Sequence, residues 1–342
     1  MNGKTPYLLV LVLLITYGCE FSSMITEKLF LLDSSQTSSL ASDNQQYLYR
    51  SIRYSYVITS TNNRNIERID LATGEATTIA GNNLTTQTDG IGLAASFSNI
   101  TDIVYIEGSP GMLYIAEPCK IRRLNTQTLQ VSTVVGNNTC SNTNGTGTSA
   151  RLNGVKALAA SGNTLYVASA NYIKQVSLNN FAVTNFVGNN TGSGYVDAIG
   201  DNAYLNDIVS LTAMNGKLYI AEIGNQLIRT ADISTKEVTT LIGNANTIGQ
   251  QDGTTLATFN FTPSTRLTND GEKTLFLTEL NKVRKVLNEQ IPEVITINQQ
   301  GAEAQDIDGD LSSEAKVYYP SGIVYTAFGL FLSNRYGVRV MR

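Results

Sequence analysis

Carboxylates recur at matched places in this chain. Glu117, Glu222 and Glu279 each end a short apolar run, LYIAE at 113–117 and 218–222 and LFLTE at 275–279. Side by side in separate copies, such residues could ring a cation. Taken singly, each would accept backbone N–H groups in its own turn, and that reading takes precedence. Asp306, Asp308 and Asp310 offer oxygens from alternate residues, as calcium loops do. Their glycine stands in the wrong place for an EF-hand, and the segment aligns with an Asp-Gly turn found elsewhere in the chain. A repeat turn is therefore the first reading and a calcium site the second; no other cofactor is expected. Histidine is absent from all 342 residues, so neither a Ser-His-Asp triad nor an imidazole-bound metal is available. Any general acid or base would be Asp, Glu, Lys, Tyr or Cys.

These residues are set in a repeat. β-Branched runs end in Gly-Asn as TTIAGNN (77–83), STVVGNN (132–138), TNFVGNN (184–190) and TTLIGNA (239–245), with Gly81, Gly136, Gly188 and Gly243 spaced by 55, 52 and 55 residues. A fixed period of this length marks one supersecondary unit used repeatedly, each burying an apolar face against the next. A turn motif follows each ending, as in DGIGLAASF (89–97), DAIGDNAYL (197–205) and DGTTLATF (252–259), and then come two strands. A third strand carries Ile or Val next to Arg or Lys: NIERID (65–70), KIRRLN (120–125), YIKQVS (172–177), LIRTAD (227–232), KVRKVL (282–287) and GVRVM (337–341). Period-two alternation and Gly/Asn/Asp punctuation give strands, with no 3.6-residue stripe. Four antiparallel strands per unit and six third strands predict an all-β fold, a six-bladed β-propeller.

The pattern D-G-x-G-x-x-A-x-F, L-Y-x-A-(D/E), x-I-R-x-(I/L)-(D/N), V-x-T-(L/V)-x-G resembles the NHL repeat family over roughly residues 54–342. The resemblance implies the fold and no particular activity, because such propellers serve unrelated tasks. On that fold, Asp102, Lys156, Ser210 and Arg266 fall near equivalent places on the first strands and border the axial channel. Their mixed charge fits a solvated, internally paired channel better than a catalytic centre. Tyr172, Tyr195 and Tyr336, in or near loops, could anchor a partner or be ordinary surface tyrosines.

Net charge is −4 and charged residues make up 15% of the chain, which argues against a nucleic-acid partner. Residues 1–18 read as a signal peptide: Lys4, an apolar core from 7 to 15, and Gly18 before Cys19. Gly-Cys there looks like a bacterial lipobox, which would make Cys19 a lipidated N-terminus and anchor the protein in the cell envelope, facing the periplasm or the exterior. Residues 19–46 read as a tether, rich in Ser and Gln over 34–46. The sixth blade has only three strands in the sequence, so 25–32 or, less favoured, 47–52 would close the ring. The propeller itself is placed at 47–342.

Cys119 and Cys140 remain as a pair in a compartment that permits disulfides. Both lie in loops on the same face of one blade, about 10 Å apart by strand spacing, and the loop holding Cys140 must fold back for them to bond. A disulfide and two free thiols both stay open. The functional expectation is a lipid-anchored, non-enzymatic scaffold that offers its loop faces to a protein or glycan. The alternative is a calcium-dependent hydrolase or lyase with carboxylates on the axis.

Overall fold

Each repeat folds as an antiparallel sheet whose strands run in chain order from the inside outward. The computed structural model describes residues 40–42, 54–59, 64–70, 76–106, 111–254, 257–288, 290–298, 319–326, 329–334 and 337–341. The second sheet holds Asp102–Ile106, Met112–Glu117, Lys120–Asn125 and Gln130–Gly136, the third Ala157–Ser161, Thr164–Ala168, Tyr172–Ser177 and Ala182–Gly188. The fourth holds Ile208–Met214, Lys217–Glu222, Leu227–Asp232 and Glu237–Gly243, the fifth Leu267–Asn269, Thr274–Glu279, Lys282–Leu287 and Glu293–Thr296. These four are complete four-stranded blades. The turn motif adds a two-residue strand outside three of them: Gly90–Ile91, Gly145–Thr146 and Ala198–Ile199.

Six equal four-stranded blades, the number taken from the third-strand signatures, are not what the described residues show. The first sheet (Tyr54–Thr59, Asn65–Asp70, Ala76–Ala80) opens with a strand of only three residues, Leu40–Ser42. The last has three strands, Gly322–Thr326, Gly329–Asn334 and Gly337–Met341, with no fourth among the described residues. Counting one signature per unit overlooked that the strands around it vary. Leu40–Ser42 also falls inside the segment read as a tether. It pairs with Tyr54–Thr59 and lies beside the innermost strands of both the second and the last sheet. Segments 25–32 and 47–52 lie outside the described residues, as does Cys19 with the signal segment.

The core lies between sheets. Ile66, Ile79 and Ala80 of the first sheet bury against Phe97, Ile103 and Leu113 of the second; Val104 and Val135 of the second meet Leu152, Val155 and Val167 of the third. Similar clusters join the third to the fourth sheet, the fourth to the fifth and the fifth to the last. Both faces of an inner blade are therefore buried, so the charges on its strands need partners inside the protein.

The Gly-Asn ending has a steric cause. Gly136 and Gly188 have φ of +75° and +89°, and a Cβ there would lie 2.4 Å from the Cys119 carbonyl oxygen and 2.5 Å from that of Asn171. Only glycine fits where the outer strand crosses the preceding turn. Asn137 and Asn189 then accept the amides of Thr139 and Thr191, both at 2.8 Å, which turns the chain away from the sheet.

Candidate functional site

The three glutamates are committed to their own blades. Arg122 is fully buried and donates to Glu117 (3.0 Å), Asp89 (2.7 Å) and the carbonyls of Ser96 (3.1 Å) and Thr88 (2.7 Å), with its guanidinium carbon 5.1 Å from the centre of the Phe97 ring. Glu117 also accepts the amide of Ser98 at 2.7 Å, and Asp89 accepts the amide and hydroxyl of Thr133, each at 3.0 Å. One cation thus ties the turn motif, the second strand and the third strand, while Asp89 carries the link to the fourth. The fourth sheet repeats this with Arg229, Glu222, Asp197 and Thr240, the fifth with Arg284, Glu279, Asp252 and Thr296. Burial pushes Glu222 up to about 8 against the pull of Arg229, and pushes Glu279 up as well. In the sequence these glutamates read as acceptors of turn amides, or else as a ring for a cation, and neither reading includes their arginines. The signal was present: Asp, Glu, Arg and Thr recur in the same order, at similar offsets, in the same three copies.

In the third sheet all four positions change together. Asn144, Ser169, Lys174 and Asn185 stand where the second has Asp89, Glu117, Arg122 and Thr133. Lys174 is buried, 1% exposed, and donates to the amide oxygens of Asn144 (2.6 Å) and Asn185 (3.0 Å). Burial pulls its ammonium down, opposed by Asp201. A cavity of about 240 Å³ opens beside it, lined by Asn142, Tyr172, Ile173, Asn185, Gly188 and Asp201, with 189–191.

Of the four residues placed on the axis, Asp102, Ser210 and Arg266 share one register, opposite Ala116, Ala221 and Thr278. Lys156 is one residue early; Ala157 holds that place. An innermost strand has one edge with no strand beside it, and its amides need other acceptors. Asp102 accepts the amide of Leu158 at 2.8 Å and Ser210 that of Leu267 at 2.9 Å, each stitching one blade to the next. Lys156 pairs with Asp207, while Arg266 donates to the carbonyls of Pro263 (2.9 Å) and Thr265 (2.8 Å). Burial lowers the Arg266 pKa, with Asp102 opposing. Each of the four is thus engaged by groups of its own blade or of the next one. Among the described residues no group of three or more Asp, Glu, His or Cys is placed to hold a metal, and no helix is long and apolar enough to cross a membrane. Asp306, Asp308 and Asp310 lie outside those residues, as does Tyr336. Tyr195 is exposed, whereas Tyr172 is half-buried.

Cys119 and Cys140 are brought together as a disulfide, their Cα atoms 4.8 Å apart. The loop after Gly136 folds back over the turn at Cys119, anchored where Lys120 donates to Asn138 at 2.8 Å. With 21 residues of separation, the bridge is expected to contribute about 3 kcal/mol. The double variant Cys119→Ser/Cys140→Ser should lose that much in denaturant titration. Denatured, unreduced wild-type protein should show no reactive thiol from this pair.

No family model matches the chain, and no curated protein matches it in sequence. The NHL resemblance therefore rests on the repeat motifs alone. Solved structures do match. One is a Bacteroides thetaiotaomicron protein of unknown function, with a TM-score of 0.61 and 14% identity over 89% of this chain and 74% of that one. Another is an auxiliary nutrient binding protein of the same organism, with a TM-score of 0.61 and 13% identity over 90% of this chain and 71% of that one. A third, also from that organism, carries the name of a phosphatase qualified there as unproven, with a TM-score of 0.56 and 15% identity over 90% and 70%. At these identities the likeness shows the fold: antiparallel sheets in a β-propeller arrangement.

Proposed function

We infer that the chain is a non-enzymatic binding scaffold whose sheets, six in number, close into one ring, held outside the cytoplasm by a lipid on Cys19. Its loop faces take a protein or glycan partner. One observation carries the reading: the charged residues that could do chemistry are occupied in holding the fold. Arg122, Arg229 and Arg284 engage their glutamates and aspartates, and Asp102 and Ser210 bind the neighbouring blade. A base whose lone pairs already accept structural amides is poorly placed to take a substrate proton. Ring closure is supported by Leu40–Ser42, which neighbours the innermost strands on both sides. The name of the nutrient-binding neighbour agrees with a binding role.

Immobilised full-length protein probed with a glycan array and with envelope proteins should retain a saccharide or a protein without altering it. Retention of nothing would contradict the reading. Separately, Cys19→Ser should abolish labelling by a radiolabelled fatty acid and move the protein from the membrane to the soluble fraction; unchanged labelling would refute the anchor.

A further inference from the structure

We propose that the cavity on the third sheet is a binding site for a single neutral sugar ring, an inference that rests on the scaffold reading and names its ligand class. The first reason is where the cavity lies. It opens in the blade that has exchanged the Asp, Glu, Arg and Thr holding the second, fourth and fifth sheets, with Asn144, Ser169, Lys174 and Asn185 instead. Of the four, Asn185 lines the cavity; beside it, Ser169 is three heavy atoms shorter than a glutamate and Lys174 lacks the guanidinium fork of the other blades. Tyr172 occupies the position of Lys120 and Lys282, so an aromatic ring replaces a cation in the lining.

Two orphaned polar atoms on the lining give the second reason. Asn142 Oδ1 is buried with no hydrogen-bond partner among the described residues. Tyr172 Oη is buried beside Ser169 and makes no hydrogen bond of good geometry there. Burial pushes the Tyr172 phenol up, so it stays protonated and can donate. Buried polar groups left unpaired are costly, so a ligand that satisfies both is favoured. An acceptor and a phenolic donor in one lining suit sugar hydroxyls, which both donate and accept.

Charge narrows the class further. Asp201 in the lining repels anions, while the Lys174 ammonium, outside the lining but 5.9 Å from the Tyr172 ring centre, repels cations. At about 240 Å³ the space falls below the roughly 300–1,000 Å³ of pockets for drug-sized molecules, and one pyranose ring suits it. A ring of that size in an open cleft should bind with Kd on the order of 1 mM.

The test is ligand-observed NMR on the full chain with glucose, galactose, N-acetylglucosamine, cellobiose and maltose, with glucuronate and spermidine as charged comparators. At least one neutral sugar should show saturation transfer. Tyr172→Phe and Asn142→Ala should each weaken that sugar about tenfold. The variant Asn144→Asp/Ser169→Glu/Lys174→Arg/Asn185→Thr, which rebuilds the cluster of the other blades, should abolish binding. If it does not fold, the two single variants still decide. Saturation transfer from none of the neutral sugars overturns the proposal, as does stronger binding of glucuronate or spermidine. Sugar binding that all variants leave intact also overturns it, placing the sugar elsewhere while leaving the scaffold reading standing.

Discussion

Replacing Arg122 with Ala is expected to destabilise the protein by about 3–5 kcal/mol, among the largest effects any single substitution here should have. The side chain is fully buried and serves two carboxylates, two carbonyls and an aromatic face. Its removal leaves Glu117, itself 1% exposed, with the Ser98 amide and hydroxyl and, as its cation, the Lys120 ammonium at 3.8 Å. An uncompensated buried charge is costly because the interior cannot solvate it. Arg122→Lys should fall between, keeping the charge and losing the fork. The third sheet shows the condition for a lysine at this place: Lys174 is accompanied by Ser169 and Asn144, so no buried carboxylate needs two hydrogen bonds. Combining Arg122→Lys with Glu117→Ser and Asp89→Asn should therefore recover part of the loss, a non-additivity that a mutant cycle would measure. A denaturant midpoint for Arg122→Ala within about 1 kcal/mol of wild type would contradict this account.

The second large effect concerns pH. Glu222 is held at about 8 by burial, well above its ordinary carboxyl value near 4.5. The unfolded chain releases this proton as pH passes the ordinary value, and the folded protein retains it until about 8. The unfolded state thus binds fewer protons across that window, and stability falls as pH rises. The slope approaches about 1.4 kcal/mol per pH unit, or roughly 4 kcal/mol by pH 8. Glu279 is shifted the same way and adds to the fall. Asp232, held near 2 mainly by the Ser234 hydroxyl, titrates below this window. Glu222→Gln, which keeps the shape without a titrating proton, should match wild type near pH 5 and exceed it increasingly towards pH 8. Parallel melting curves for the two proteins from pH 5 to 8 would show that Glu222 does not retain its proton.

The repeat was legible because its strands alternate at period two and its glycines mark places that admit no Cβ. Gly136 and Gly188 stand out in the sequence for the same reason that they are needed in the fold. The sheet edges were less legible. Leu40–Ser42 is short and sits among Ser, Asp and Asn, so composition gave it to a tether, although its pairing with Tyr54–Thr59 makes it an innermost strand. Along the axis, Asp102, Ser210 and Arg266 share a register and Lys156 lies one residue before it, a displacement that a period-two pattern does not resolve. The role of the arginines depended on three-dimensional convergence of residues up to 34 positions apart, such as Arg122 with Thr88. Spacing within one strand does not reveal such a meeting; comparison of the copies does, since Asn144, Ser169, Lys174 and Asn185 depart as a set.

The central claim is that this protein binds without transforming what it binds. The most direct measurement incubates full-length protein with the bound saccharide or protein identified by array and follows the mixture by mass spectrometry for a day, with and without calcium. The account predicts a ligand of unchanged mass at every time, in either condition. Cleavage or elimination products that depend on calcium, or that disappear in Asp102→Asn, would contradict it.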